Sequence, residues 1–125
     1  MNVVDSSGWL EYFAGGTNAN FFAPILRKVE ELVVPTVCMY EVFKCILAQR
    51  GEESALQAIG IMSLGTVADL KREIAIDAAS ISLKRKLAMA DSIILATARA
   101  YDDATLWTQE ADFEGMEGVR YVSQK

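Results

Sequence analysis

The acids Asp5, Glu41, Asp91, Glu110 and Asp112 fall at comparable places, each beside or within an apolar stretch. Asp5 follows Asn2-Val3-Val4. Glu41 lies about one helical turn into the apolar stretch after Leu32-Val33-Val34-Pro35. Asp91 opens the segment Ile93 to Tyr101, and Glu110 and Asp112 follow Ala104-Thr105-Leu106-Trp107-Thr108. The chain contains no histidine, which excludes Ser-His-Asp and Cys-His nucleophilic schemes and histidine general-base chemistry. Catalysis would have to run on carboxylates, lysine, hydroxyls, a metal or a cofactor. Each acid also has an ordinary use. Asp5 and Asp91 can cap or charge a helix start, Asp112 can form a turn, and Glu41 can pair with Lys44 or Lys84. Glu41 is the hardest to place that way, because a carboxylate in a largely apolar helix is costly unless paired or metal-bound.

Taken together, several carboxylates within about 4–6 Å would raise each other's pKa and oppose folding at neutral pH. A divalent cation removes that conflict. All-oxygen ligands suit Mg²⁺ or Mn²⁺. One or two such ions can activate water and clamp a scissile phosphate, which fits a histidine-free phosphodiesterase.

The elements that must deliver these acids follow from the pattern of apolar residues. Short strands are predicted at Asn2-Val3-Val4, at 32–35, weakly at 66–68, at 104–108 and at 119–122. Between them lie helices. Trp9, Leu10 and Phe13 share one helical face, and Gly15-Gly16 stops that helix. Asn18 or Asn20 caps a second helix through Glu31, with Phe22, Ile25, Leu26 and Val29 inward. Thr36 caps a third over 37–49, ended by Gly51, and 52–62 forms a fourth. The stretch 70–87 reads as amphipathic, with Ile74, Ala75, Ala78, Ile81 and Ala88 as its inner face. The segment from Asp91 to Tyr101 is apolar nearly all round, so it is a buried helix. Gln109 to Phe113 is a loop, and Gly115 to Gly118 a turn. Short apolar strands alternating with helices imply a three-layer α/β/α fold around a central parallel sheet of four to five strands. In such folds ligands sit beyond the carboxyl ends of the strands, where these acids lie.

The 125 residues suit a single domain spanning 1–125, and 52% hydrophobic against 23% charged residues excludes disorder. No apolar run is long enough to span a bilayer, and no basic region precedes the first apolar residues. A soluble, cytoplasmic protein is expected. Cys38 and Cys45, on one helix about 10 Å apart along its axis, are too distant for a disulfide and read as reduced core residues. The net charge of −5 advertises no broad nucleic-acid face. Basic residues cluster at Arg27-Lys28, Lys71-Arg72 and Lys84-Arg85-Lys86. Trp9, Tyr12 and Phe13 are assigned to core packing rather than to a dimer face.

The ordered set Val3-Val4-Asp5-Ser6-Ser7, Glu41 in the helix after Val34-Pro35-Thr36, Met89-Ala90-Asp91-Ser92, and Leu106 to Gly115 resembles a PIN domain. The type it is most similar to is the ribonuclease toxin of VapBC toxin–antitoxin pairs. By that resemblance Asp5, Glu41 and Asp91 match three metal-binding acids. Asp112 is taken as the fourth catalytic and metal-binding acid, with Glu110 as its competitor, since the family commonly has Thr-x-Asp where this chain has Thr108-Gln109-Glu110. Ser6 and Thr108 match polar positions that orient a ligand or water. The resemblance implies Mg²⁺- or Mn²⁺-dependent endonucleolytic cleavage of RNA, a homodimer, and inhibition by a small VapB-like antitoxin. Lys44, Arg50, Lys84, Arg85, Lys86 and Arg99 are then phosphate contacts or partners for an acidic antitoxin residue. A competing reading is a PIN-like module without useful catalysis that binds RNA or a protein. A receiver domain or an aspartyl phosphatase fits poorly. Asp5 stands alone after the first strand, position 7 is Ser, and the only lysine past the last strand is Lys125.

Overall fold

The computed structural model describes residues 1–124; Lys125 lies outside them. Five short strands are present: β1 (Asn2–Val4), β2 (Val33–Pro35), β3 (Thr66–Ala68), β4 (Thr105–Thr108) and β5 (Val119–Tyr121). All their pairings are parallel. β4 lies between β1 and β5, while β2 and β3 form a second ladder. A parallel bridge between Asn2 and Leu32 joins the two ladders, so the strands run side by side in the order β3-β2-β1-β4-β5. The predicted parallel sheet is present, with one bridge as the seam between its halves.

Parallel neighbours require crossovers, and helices supply them. α1 (Ser6–Ala14) and α2 (Ala19–Arg27) link β1 to β2; α3 (Thr36–Arg50) and α4 (Glu52–Met62) link β2 to β3; α5 (Arg72–Arg85) and α6 (Met89–Ala100) link β3 to β4. The first and last crossovers run in opposite directions along the sheet, so right-handed connection places them on opposite faces. The side chains agree. A Cβ at Gly8 of α1 would meet Val4 and Phe22, and Phe21 of α2 packs on Trp107 at 5.5 Å. Val4 and Trp107 are register partners in β1 and β4. Strand alternation points Val3 and Leu106 the other way. That face is closed by α6, which packs against β1, β2 and β4 and buries every residue from Ser92 to Ala98. Val3, Val4, Val33 and Val34 are wholly inaccessible, as a sheet covered on both faces demands.

Several predicted boundaries move. The second helix ends at Arg27 rather than Glu31, because Lys28 leaves helical space (φ −88°, ψ 67°) and a single 3-10 turn at Val29–Glu31 leads into β2. Asn18 occupies the cap position of α2 without a side-chain capping bond, and Thr36 is the first residue of α3 rather than its cap. α5 is shorter than the stretch 70–87. Ile74 and Ala78 face inward, but Ala75 and Ala88 are exposed. Trp9 is buried and stacks on Phe13 at 5.6 Å, so this aromatic group serves the core. Both cysteines are free thiols. Among the described residues no helix is long and apolar enough to cross a membrane.

The approach of α1 to β1 depends on the absence of a side chain at Gly8. A Cβ there would lie 2.5 Å from Val4 Cγ1 and 2.7 Å from Phe22 Cε1, within a core that has no slack. Gly8→Ala should therefore lower unfolding free energy by about 1–3 kcal/mol, the usual cost of overpacking. Urea denaturation measures it, and an unchanged midpoint would mean that α1 can stand off the sheet freely.

Candidate active site

The carboxyl ends of β1, β2 and β4 and the first turn of α6 meet at one edge of the sheet, and the acids gather there. Asp5 is the residue after β1. Its backbone N–H extends the ladder to the Trp107 carbonyl at 3.2 Å, while its side chain turns to cap α1. Oδ1 accepts from the Gly8 N–H at 3.0 Å and the Ser7 hydroxyl at 2.8 Å, and Oδ2 accepts from the Thr108 hydroxyl at 2.6 Å. Thr108 Oγ1 in turn accepts the Glu110 N–H at 2.9 Å. The capping use and the site use of Asp5 thus coexist. Asp5 is only 1% exposed. Burial drives its pKa up to about 6, against the hydrogen bonds from Thr108, Ser7 and Gly8, and the charge of Glu110 adds to the rise.

Glu41, in the second turn of α3, is half-buried, and its Oε1 accepts from the Ser6 hydroxyl at 2.6 Å. That contact replaces the expected pairing with Lys44 or Lys84, and the Lys44 ammonium lies over the Tyr40 ring at 5.7 Å instead. Asp91 sits in the first turn of α6, whose cap position is Ala88. Its pKa also rises to about 6, first through burial and then through Asp5, Glu110, Glu41 and Asp112. Four other carboxylates are therefore close enough to act on it.

Asp5, Ser6, Glu41, Asp91 and Glu110 line one cleft of about 400 Å³. Thr108 stands behind Asp5, wholly buried. Asp112 is exposed on the 3-10 turn Ala111–Phe113 and does not line the cleft; it reaches Asp91 through its charge alone. Lys44, Lys84, Arg85 and Lys86 are exposed, and none of them lines the cleft either.

The sequence reading missed the residues that hold these acids in place. Asn18 is buried, and its amide donates to Gln109 Oε1 and to the Ser123 carbonyl, both at 3.0 Å. The chain after β4 is thereby pinned to the start of α2. Ser7 contributes a hydroxyl to Asp5. The available signals were a polar residue, Gln109, directly after a strand, and a serine two positions after an acid.

Among the described residues, no three His, Cys, Asp or Glu side chains converge on a point where a metal ion could be held as they stand. The hydroxyls explain this in part, since Ser6 and Thr108 each tie up a carboxylate oxygen. The donor chemistry nevertheless fits a hard cation: among the described residues the lining carries four carboxylates and no basic side chain, and two of those carboxylates are pushed toward protonation.

The PIN domain family matches residues 3–119 of the chain. No curated protein matches it in sequence. Among solved structures it is similar to a toxin–antitoxin complex from Klebsiella pneumoniae, with TM-score 0.79, 22% identity and 96% of each chain covered. It is also similar to the sarcin–ricin-loop-cleaving toxin VapC20 of Mycobacterium tuberculosis, with TM-score 0.72, 14% identity, and 91% of this chain and 92% of that one covered. A third is VapBC2 from Rickettsia felis bound to a promoter DNA fragment, with TM-score 0.73, 12% identity, and 98% and 97% covered.

The raised acids predict a direction for stability in chelator. A carboxyl whose folded pKa lies above its unfolded value is most favourable at low pH, and that contribution is lost as pH rises through the folded pKa. For Asp5, moving from 3.8 to about 6 corresponds to on the order of 3 kcal/mol. Asp91→Asn removes one ionisable member of the set. Its stability advantage over the wild type should grow between about pH 4 and about pH 6.5, measured by urea unfolding in chelator. A pH-independent difference would show that the two acids ionise without strain.

Proposed function

Because this chain belongs to the PIN domain family, we propose that it is a metal-dependent endoribonuclease, the toxin of a type II toxin–antitoxin pair. The observation that carries this reading is the cleft at the carboxyl edge of the sheet, where Asp5, Glu41, Asp91 and Glu110 meet with no basic side chain from the described residues among them. Asp5, Glu41 and Asp91 would hold Mg²⁺ or Mn²⁺, with Glu110 as the fourth acid of the cleft and Asp112 adding negative potential from outside. Such an ion, when bound, would supply activated water and neutralise charge on the scissile phosphate. The rest falls to the chain. Thr108 fixes the rotamer of Asp5, Ser6 fixes that of Glu41, and Asn18 holds the loop that carries Glu110. With no histidine available, no side chain of that kind takes the proton from water.

Partners follow from the same reading. A similar chain occurs in a toxin–antitoxin complex, another is described as cleaving the sarcin–ricin loop, and others are VapBC assemblies on DNA. We infer an RNA substrate in the cytoplasm, a VapB-like antitoxin and a homodimer. A PIN-like binding module without useful catalysis is the second reading. It is favoured by the absence of three converging ligands among the described residues and by Glu110 where the family commonly has Asp.

Asp91→Asn separates the two. In the first reading wild-type protein cleaves RNA with Mn²⁺ or Mg²⁺, and chelator stops it. The variant should fall by on the order of a thousandfold in kcat with its circular dichroism spectrum unchanged. A variant as active as the wild type would remove Asp91 from the site. Wild type and variant that both bind RNA yet neither cleave it would favour the binding module.

A further inference from the structure

A second groove of about 400 Å³ runs beside the acidic cleft. The two share Ser7, Leu10 and Glu110, so they are continuous. Their linings differ. Among the described residues the groove has an apolar wall from Phe13 of α1 and Ile46 of α3, amides from Gln49 and Gln109, one basic side chain, Arg50, at the end of α3, and two carboxylates, the shared Glu110 and Glu11, whose Oε2 accepts the Asn18 N–H at 2.7 Å. Gln109 uses its carbonyl on Asn18, and among the described residues its amide donates to no partner.

A phosphodiester chain carries one negative charge per nucleotide, and a cleft of carboxylates repels it wherever a cation does not intervene. A strand that enters the cleft must find its counter-charge on the way out. Lys44, Lys84, Arg85 and Lys86 line neither cavity; Arg50 lines the one that continues the cleft. Apart from Glu110 and the Glu11 carboxylate, which the Asn18 N–H engages, the lining suits a nucleotide: an apolar wall for the flat face of a base, amides for its edge, and a guanidinium for the phosphate.

We propose that this groove is the subsite for the RNA nucleotide next to the scissile bond, with Arg50 holding the adjacent phosphate. The assignment rests on the ribonuclease reading above. It makes Arg50 a binding residue, outside the carboxylate machinery, so its loss acts on substrate affinity.

The groove contains its own reporter. Cys45 lines it and is half-buried, whereas Cys38 is fully buried, so a thiol reagent reads Cys45. The experiment mixes the protein with a pool of short, randomised, fluorescein-labelled single-stranded RNAs, in Ca²⁺ rather than Mg²⁺ to slow cleavage. Binding is followed by anisotropy and Cys45 modification by its rate. RNA should slow Cys45 modification several-fold. Arg50→Gln should weaken binding about tenfold and lower the slope of log affinity against log salt by about 0.7, one phosphate contact on a single strand. In cleavage assays with Mg²⁺ the same variant should raise KM and leave kcat in place. RNA that binds while Cys45 stays equally reactive, or binds Arg50→Gln as well as wild type, overturns the subsite and leaves the ribonuclease reading standing. Failure of wild type to bind the pool overturns both. Protection of Cys45 by polyglutamate but not by RNA overturns the subsite too, and assigns the groove to an acidic protein partner.

Discussion

A carboxylate with almost no access to water, Asp5, is the constraint around which this molecule is arranged. It ends β1, starts α1 and is tied through Thr108 to the end of β4. An isolated buried carboxylate is costly. Three hydrogen bonds hold this one in a fixed rotamer, yet its pKa is still pushed up. The fold therefore positions an acid that it leaves incompletely compensated. Asp91 repeats the pattern from the opposite face of the sheet, with further acids rather than bases for company. A protein optimised for stability alone would place a lysine or arginine there.

Parallel topology explains how such a cleft can be built from distant parts of the chain. Every strand of the sheet ends at the same edge, so the loop after each strand adds to one rim. Asp5 and Thr108 arrive from neighbouring strands, Glu41 from the crossover after β2, and Asp91 from a helix that the sheet buries. The rigid parts are the strands and the buried α6. Glu110 borders both the cleft and the groove that ends at Arg50. A hard cation in the cleft and a phosphate beside it would complement opposite ends of the same cavity.

Much of this could be read from the residues alone, for identifiable reasons. The strands were placed within a residue or so because apolar runs between polar breaks are unambiguous when both faces of a sheet are covered. α4 was placed residue for residue, since Gly51 begins it and the acids Glu52 and Glu53 suit its first turn. Asp5, Glu41 and Asp91 stood out because acids beside buried segments are scarce. What failed was local and depended on contacts across the fold. Asn18 looked like a helix cap, but its amide is taken by Gln109 and Ser123, residues about a hundred positions away that no window on sequence brings together. Ala75 has the spacing of an inner residue, yet the face that α5 turns to α6 is narrower than that stripe. The ordinary use open to Glu41 was a lysine partner, and the structure gives its Oε1 the hydroxyl of Ser6, the residue after Asp5. The order of Glu110 and Asp112 depended on how the chain turns after β4, and the turn brings Glu110 to the cleft lining and leaves Asp112 exposed.

The central claim is that a divalent cation completes this acidic cleft. Thermal unfolding of the purified protein in chelator, then with Mn²⁺ or Mg²⁺ added, tests it without knowledge of the RNA. Ligand at about a hundred times its Kd should stabilise the fold by roughly 2.7 kcal/mol and raise Tm by several degrees in a saturable way, an effect Asp91→Asn removes. An unchanged Tm at millimolar metal, or a shift that persists in Asp91→Asn, would contradict the account.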